Sequence, residues 1–256
     1  MQRILRSCRR GFSLMELMIV IAILALLTAI LTPALRGARA EARRAVCMAN
    51  LHHVGLATDA YLNDHNESFW RYFTRESGGL RWWFGYEAGG PGSGTHRPLD
   101  RSRAVLAPYF NGSSDVMQCP EFPYDTGCYF RKFAVRSTSY GFNMLLGPPN
   151  PRVAAARRDQ LGQAPSSVFV FADGVHFDHN PGTNEGHYIE YKRDPRQLSG
   201  YGHFRHRGRA TVLYVDGHAA GQRLRSPEHA RTCGGPAANL TDPAGGATIY
   251  GPRVTP

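Results

Sequence analysis

The sequence predicts an α+β fold in which one long N-terminal helix, half of it spanning a membrane, packs on a small antiparallel sheet with long loops. Residues 12–35 form an apolar run whose only charged residue is Glu16, and a helical pattern continues from this run to residue 64. Short apolar runs at 168–172 and 211–215 have the length of buried strands. Glycine- and proline-rich stretches separate these regions and indicate loops.

Composition is typical of one folded domain with appendages. Of the 256 residues, 42% are hydrophobic and 20% are charged, which supplies one core of ordinary size. The mean hydropathy of −0.36 excludes a protein with many membrane spans. Formal net charge is +10, but the arginines are scattered and form no basic stripe. We therefore expect no binding to nucleic acid.

The N-terminal segment combines a basic leader with an apolar run. Residues 1–10 hold arginines and no acid, Gly11 follows, and the apolar run begins at Phe12. A run of about 20 apolar residues crosses a bilayer as a helix, and this one is longer than the core of a signal peptide. The alternatives are an uncleaved anchor and a segment cut before the run. Glu16 favours cutting, because a carboxylate in a membrane helix is unfavourable unless it has a partner. A cut before Phe12 would create a positively charged amino group, and that group in a neighbouring chain would be a partner for Glu16.

The heptapeptide GFSLMEL at residues 11–17, followed by the apolar run, resembles the type IV prepilin cleavage and N-methylation segment. Type IV pilins and type II secretion pseudopilins share this segment. The resemblance implies cutting between Gly11 and Phe12 by a prepilin peptidase, N-methylation of Phe12, and assembly through Glu16. The implied partners are other pilin or pseudopilin subunits, an inner-membrane assembly platform and membrane lipid.

The resemblance also implies an orientation, with the leader in the cytoplasm and the C-terminal head in the periplasm or on the cell surface. Basic residues flank both ends of the span, so the positive-inside rule gives no orientation of its own. The expected divisions follow the chain in order: a leader (1–11), a transmembrane and assembly helix (12–35), the soluble half of the helix (36–64), an extracytoplasmic α+β head (65–225) and a Gly/Pro-rich tail (226–256). Pro33 is expected to kink the helix.

Four cysteines remain after the leader, with Cys8, is removed: Cys47, Cys119, Cys128 and Cys233. An even number outside the cytoplasm permits two disulfides in any of three pairings. Cys119 and Cys128 could close a local loop. Equally, Cys47 could fasten the helix to the Cys119 loop and leave Cys128 to pair with Cys233. The sequence contains no Cys-x-x-Cys, so it predicts neither a redox motif nor a zinc ribbon.

His206, Asp216 and Gly217 form the pattern H-x9-DG. It resembles the C-terminal motif of a large group of prepilin-like proteins. In the favoured, structural interpretation, Asp216-Gly217 makes a hairpin turn after strand 211–215 and His206 hydrogen-bonds across the hairpin. The alternative is a binding site.

Metal binding and catalysis are only weakly indicated by the residues that could support them. His176, Asp178 and His179 could ligate a divalent metal if their loop folds back, but a solvated loop is favoured, and we predict no resident metal or other cofactor. The sequence lacks Gly-x-Ser-x-Gly, His-Glu-x-x-His and a phosphate-binding Gly-Lys-Ser/Thr, and we predict no enzyme.

The resulting functional prediction is a structural subunit of a type II secretion or type IV pilus-like filament, anchored in the inner membrane before assembly. The alternative is a membrane-tethered extracytoplasmic binding module that uses the prepilin segment only for sorting and anchoring.

Overall fold

The computed structural model describes residues 12–90, 95–110, 115–124, 126–127, 129–178, 182–190, 200–223, 230–232 and 235–238. The chain divides into two compact units, Met1–Ala42 and Arg43–Pro256. The predicted long helix is α1, Leu14–Asp64, whose 51 residues include Pro33.

The start of α1 is closed by a capping box, in which two side chains bond each other's backbone. The Ser13 Oγ accepts a hydrogen bond from the Glu16 N–H at 3.1 Å, and Glu16 Oε2 accepts one from the Ser13 N–H at 2.9 Å. These bonds satisfy two amide groups that a helix start leaves without partners.

The part of α1 in the first unit is apolar and exposed. Residues 12–36 are exposed throughout, and α1 contains a stretch long and apolar enough to cross a membrane, none of which is buried within the structure. Apolar residues on every side of a helix are typical of a segment whose natural surroundings are lipid or other helices.

The part of α1 in the second unit is amphipathic. Its buried face carries Cys47, Leu51, Val54 and Leu62, which have no exposed surface and recur at three-, four- and eight-residue intervals. Gly55 brings this face close to the sheet, because a Cβ at its position would lie 3.0 Å from Leu213 Cδ1.

The described strands of the second unit form two sheets. The smaller is an antiparallel meander of β1 (Phe73–Glu76), β2 (Gly79–Trp82) and β3 (Gly85–Ala88). The larger contains nine strands: β4 (Tyr140–Asn143), β5 (Phe169–Asp178), β6 (Gly182–Glu185), β7 (Tyr188–Ile189), β8 (Gly200–His203), β9 (Arg209–Tyr214), β10 (Ala219–Arg223), β11 (Ala230–Thr232) and β12 (Gly235–Ala238).

Strand β5 organises the larger sheet. It pairs antiparallel with β4, β6, β8 and β9 along different parts of its length. β10 pairs antiparallel with β9 as the predicted hairpin. β4 and β7 run parallel.

The α+β class and the long apolar N-terminal helix are confirmed, but the sheet prediction needs correction. The described residues form two sheets where one small sheet was predicted, and the larger sheet is mixed. Strands β1–β4 lie between the long helix and the run at 168–172, where glycine- and proline-rich stretches indicated loops, and β11 and β12 lie within the 226–256 tail.

Aromatic rings fill the core between α1 and β5. The Trp70 and Phe142 ring centroids lie 5.0 Å apart, and those of Trp83 and Phe171 lie 4.9 Å apart. The indole N–H of Trp83 donates to the His187 carbonyl at 2.8 Å, so this fully buried side chain leaves no donor unpaired.

Leu51 tests this packing. We expect Leu51→Ala to lower the free energy of unfolding by about 2–5 kcal/mol, because it opens a cavity in the core. Leu56→Ala is the matched control on the same helix, since Leu56 is 55% exposed and should change this free energy by no more than about 0.5 kcal/mol. Denaturant titration of the full chain in detergent, followed by tryptophan fluorescence, measures both. Equal losses would show that α1 presents a different face to the core.

Candidate functional site

The head contains a buried cluster of four polar side chains, from Cys47, Cys119, Asp173 and His206. Their sulfur, carboxylate and imidazole atoms all lie within 4.8 Å of one another. Cys47 comes from α1, Asp173 from β5, and Cys119 and His206 from loops. The cluster thus joins four segments that are distant in the sequence.

Asp173 lies at the centre of the cluster and has no exposed surface. Its Oδ2 accepts a hydrogen bond from the Thr211 N–H at 2.7 Å and lies 3.2 Å from His206 Nε2. Its Oδ1 lies 3.6 Å from Arg205 Nε. Burial acts to raise the pKa of Asp173, but the charge of Arg205 and the contacts with His206 outweigh it and lower the pKa to about 2.

The two thiols differ in their surroundings. Cys119 Sγ lies 3.3 Å from His206 Nε2. Cys47 Sγ lies 3.1 Å from the Tyr140 hydroxyl and 3.6 Å from Asp173 Oδ1. Burial acts to raise the pKa of Cys119, but a hydrogen bond from Cys47 and the contact with His206 help to lower it below its usual range. Burial and the hydrogen bond to Cys119 raise the pKa of Cys47.

Two further charged residues surround the cluster. Arg205 is buried, donates from Nη2 to the Ser139 and Gly174 carbonyls at 3.1 and 2.8 Å, and lies over the Phe122 ring. Glu121 Oε2 lies 2.9 Å from His206 Nδ1. The two atoms are close enough for an ion pair, but their geometry is not that of a hydrogen bond.

The structure brings Cys47 and Cys119 together, as one of the two predicted disulfide arrangements requires. Both are free thiols in the structure. Cys128 and Cys233 lie outside the described residues, so disulfide pairing stays a prediction.

The H-x9-DG motif divides into two separate features. His206 precedes β9 and its side chain faces the cluster instead of crossing the hairpin. Asp216 and Gly217 follow β9, where Gly217 has a φ of +85° and the Asp216 Oδ1 accepts from the His218 N–H at 3.2 Å. The hairpin turn is therefore confirmed. Because β9 has six residues, about 20 Å of strand separates the two ends of the motif.

Of the three residues His176, Asp178 and His179, only His176 has a side chain within the described part of the chain. His176 lies in β5 with its ring centroid 5.7 Å from that of Tyr188. The side chain of Asp178 and all of His179 lie outside the description. This set stays a prediction.

A second buried polar group consists of Ser137, Glu185 and His187. Of these three residues, Ser137 lines a pocket of about 230 Å³. The Ser137 hydroxyl bonds the Glu185 carboxylate and lies 2.6 Å from His187 Nε2. A catalytic triad needs its acid on the ring nitrogen remote from the serine. Here Glu185 approaches the near nitrogen, Nε2, at 3.9 Å, so the three residues lack the triad arrangement.

At the N-terminus, Phe12 is 71% exposed and Gly11 lies outside the described residues. The local partner of Glu16 is Ser13. This capping role was not predicted, although Ser-x-x-Glu before an apolar run is a recognisable signal of it. A contact between Cys47 and Cys119 was among the predicted arrangements, but the approach of Asp173 and His206 to these sulfurs was not predicted, because no spacing in the sequence signals it.

Comparison with known proteins identifies the N-terminal segment. Residues 6–32 match the family model of the prokaryotic N-terminal methylation motif. No curated protein and no solved structure matches the chain. The match confirms the predicted prepilin-type motif and supports a pilin-like protein. Together with the apolar helix, it supports a single-pass, membrane-anchored chain.

A double-mutant cycle tests the division of the H-x9-DG motif. Gly217→Ala should lower the free energy of unfolding by about 1–2 kcal/mol, because alanine is strained at positive φ. His206→Gln should also lower the free energy of unfolding, because it removes the imidazole that contacts Asp173 and Cys119 in the cluster. Since the two sites are far apart, their effects should add within about 0.5 kcal/mol in denaturant titrations. A coupling energy above about 1 kcal/mol would show that the motif acts as one site.

Proposed function

We propose that the chain is a pilin-like or pseudopilin-like structural subunit of a type II secretion or type IV pilus-like filament. The observation that supports this most strongly is the methylation motif at residues 6–32, placed directly on an exposed apolar helix. An isolated anchor needs neither a cleavage glycine nor a carboxylate five residues into its mature helix. A filament of packed helices gives both a role.

In this proposal a prepilin peptidase cuts between Gly11 and Phe12, and the new amino group of Phe12 is N-methylated. The leader lies in the cytoplasm, and the head, residues 65–225, in the periplasm or on the cell surface. The helix stays in the inner membrane until an assembly platform moves the subunit into a filament. There Glu16 pairs with the positive amino group of Phe12 in the adjacent subunit.

A structural role agrees with the chemistry of the head. The cluster of Cys47, Cys119, Asp173 and His206 is buried in the core, and the Ser137 group lacks the triad arrangement. The alternative function is a membrane-tethered binding module, for which the pocket beside Trp83 and Phe84 would be a ligand site. Self-association of the helix distinguishes the two functions.

Processing is the first test. Mass spectrometry of the mature protein should give Phe12 as the N-terminal residue, with an added methyl group. Gly11→Arg should block the cut, because a large charged side chain replaces the glycine at the cleavage point. Recovery of exported protein that retains residues 1–11 would contradict the proposal.

Assembly through Glu16 is the second test, and it must be separated from helix capping. Glu16→Gln retains a side chain that can complete the capping box but removes the negative charge. Loss of one partner of a buried ion pair costs about 3–5 kcal/mol, so co-assembly of tagged with untagged subunits should fall at least tenfold after crosslinking in the membrane.

Ser13→Ala is the matched control, since it removes the capping hydroxyl and keeps the charge. It should co-assemble nearly as well as wild type, and both variants should be processed and inserted normally. If Glu16→Gln co-assembles as well as wild type, or if wild type does not self-associate, the tethered binding module is the better account.

A further inference from the structure

We propose that Cys47, Cys119, Asp173 and His206 form a structural zinc site in the head. The four residues supply two sulfurs, a carboxylate oxygen and an imidazole nitrogen, and all four side chains are buried. This inference does not depend on the filament function, because every ligand lies in the second compact unit.

Three distances between donor atoms are close to the edge lengths of a zinc tetrahedron, and all four donors lie within 4.8 Å of one another. Zinc binds sulfur at about 2.3 Å and nitrogen or oxygen at about 2.0–2.2 Å, so neighbouring ligand atoms lie about 3.3–3.8 Å apart. In the structure, Cys119 Sγ and His206 Nε2 are 3.3 Å apart. The two oxygens of Asp173 face different partners, since Oδ2 lies 3.2 Å from His206 Nε2 and Oδ1 lies 3.6 Å from Cys47 Sγ. Small side-chain shifts would place an ion among them.

The donor set selects the metal. Two thiolates favour a soft or borderline ion and disfavour calcium and magnesium, which prefer oxygen ligands. A closed set of four protein ligands with no access to solvent is typical of structural rather than catalytic zinc. Binding requires both sulfurs as thiolates and His206 as neutral imidazole, so each proton that these groups carry is released to solvent.

Surrounding residues complete the site. The Thr211 N–H holds Asp173, and Glu121 lies 2.9 Å from His206 Nδ1, the ring nitrogen that would face away from the metal. Such outer contacts orient metal-binding side chains. Zinc with two thiolates and one carboxylate leaves a single negative charge, which the buried Arg205 offsets from within 3.6 Å of Asp173.

The zinc site would fasten α1 to the sheet at Cys47. A disulfide between Cys47 and Cys119 would use the same sulfurs, so the two arrangements exclude each other. The structure favours zinc, because both cysteines are free and their sulfurs contact His206 and Asp173, which a disulfide would not use.

The test uses the full chain, purified in detergent without chelator from cells supplied with zinc. Elemental analysis should find one zinc per chain. Exchange with Co²⁺ should produce the visible bands of tetrahedral cobalt and a sulfur-to-cobalt charge-transfer band. Removal of zinc by a chelator should lower the Tm.

Substitutions distinguish residues that bind zinc directly from residues that only lie beside the site. Cys119→Ser and His206→Gln should each lower zinc content at least tenfold. Glu121→Gln should weaken zinc affinity about 10–100-fold, as outer contacts do. Tyr140→Phe is the matched control, because it removes a hydroxyl 3.1 Å from Cys47 Sγ and leaves all four ligands in place. It should retain one zinc.

Three results would overturn the proposal, and the first two are measured on the wild-type protein. The first is wild-type protein that contains no zinc after zinc supply and carries reduced Cys47 and Cys119. The second is a Cys47–Cys119 disulfide in peptide maps made without reductant. The third is full zinc content in Cys119→Ser.

Discussion

Asp173 places a negative charge in the interior of the head, and the neighbouring segments are arranged around it. A carboxylate without exposed surface is strongly destabilising unless charges and hydrogen bonds replace its lost water. The backbone of Thr211, the imidazole of His206 and the guanidinium of Arg205 do so. These partners hold the loop that precedes β9 against β5. The cluster also brings Cys47 of α1 to the same point. The polar centre thus constrains the contact between helix and sheet that apolar packing alone would leave adjustable.

The helix α1 serves two environments with one continuous secondary structure. Residues 12–36 expose apolar side chains in every direction, whereas the later turns bury only the face that contains Leu51 and Val54. In the proposed filament role, the first part contacts other helices and the second holds the head. A subunit drawn from the membrane by its helix needs a secure attachment between helix and head. The cluster at Cys47 supplies polar contacts for this attachment in addition to the hydrophobic core.

Regular patterns made some parts of this fold predictable from the sequence. The apolar run and the helical spacing after it predicted α1, and the runs at 168–172 and 211–215 predicted parts of β5 and β9. Asp216-Gly217 predicted the turn because glycine accepts positive φ. Strands β1–β3 were missed because each has four residues and their hydrophobic pattern is too short to detect. The complete cluster was missed because it depends on how four distant segments meet, which spacing in the sequence does not encode.

X-ray absorption at the zinc K-edge, measured on the full wild-type chain, tests the role of this polar centre most directly. The account predicts a first shell with two sulfurs at about 2.3 Å and two nitrogen or oxygen atoms at about 2.0–2.2 Å. This shell would place both cysteines, Asp173 and His206 on one ion. A first shell of only nitrogen and oxygen, or protein that binds no zinc, would contradict it.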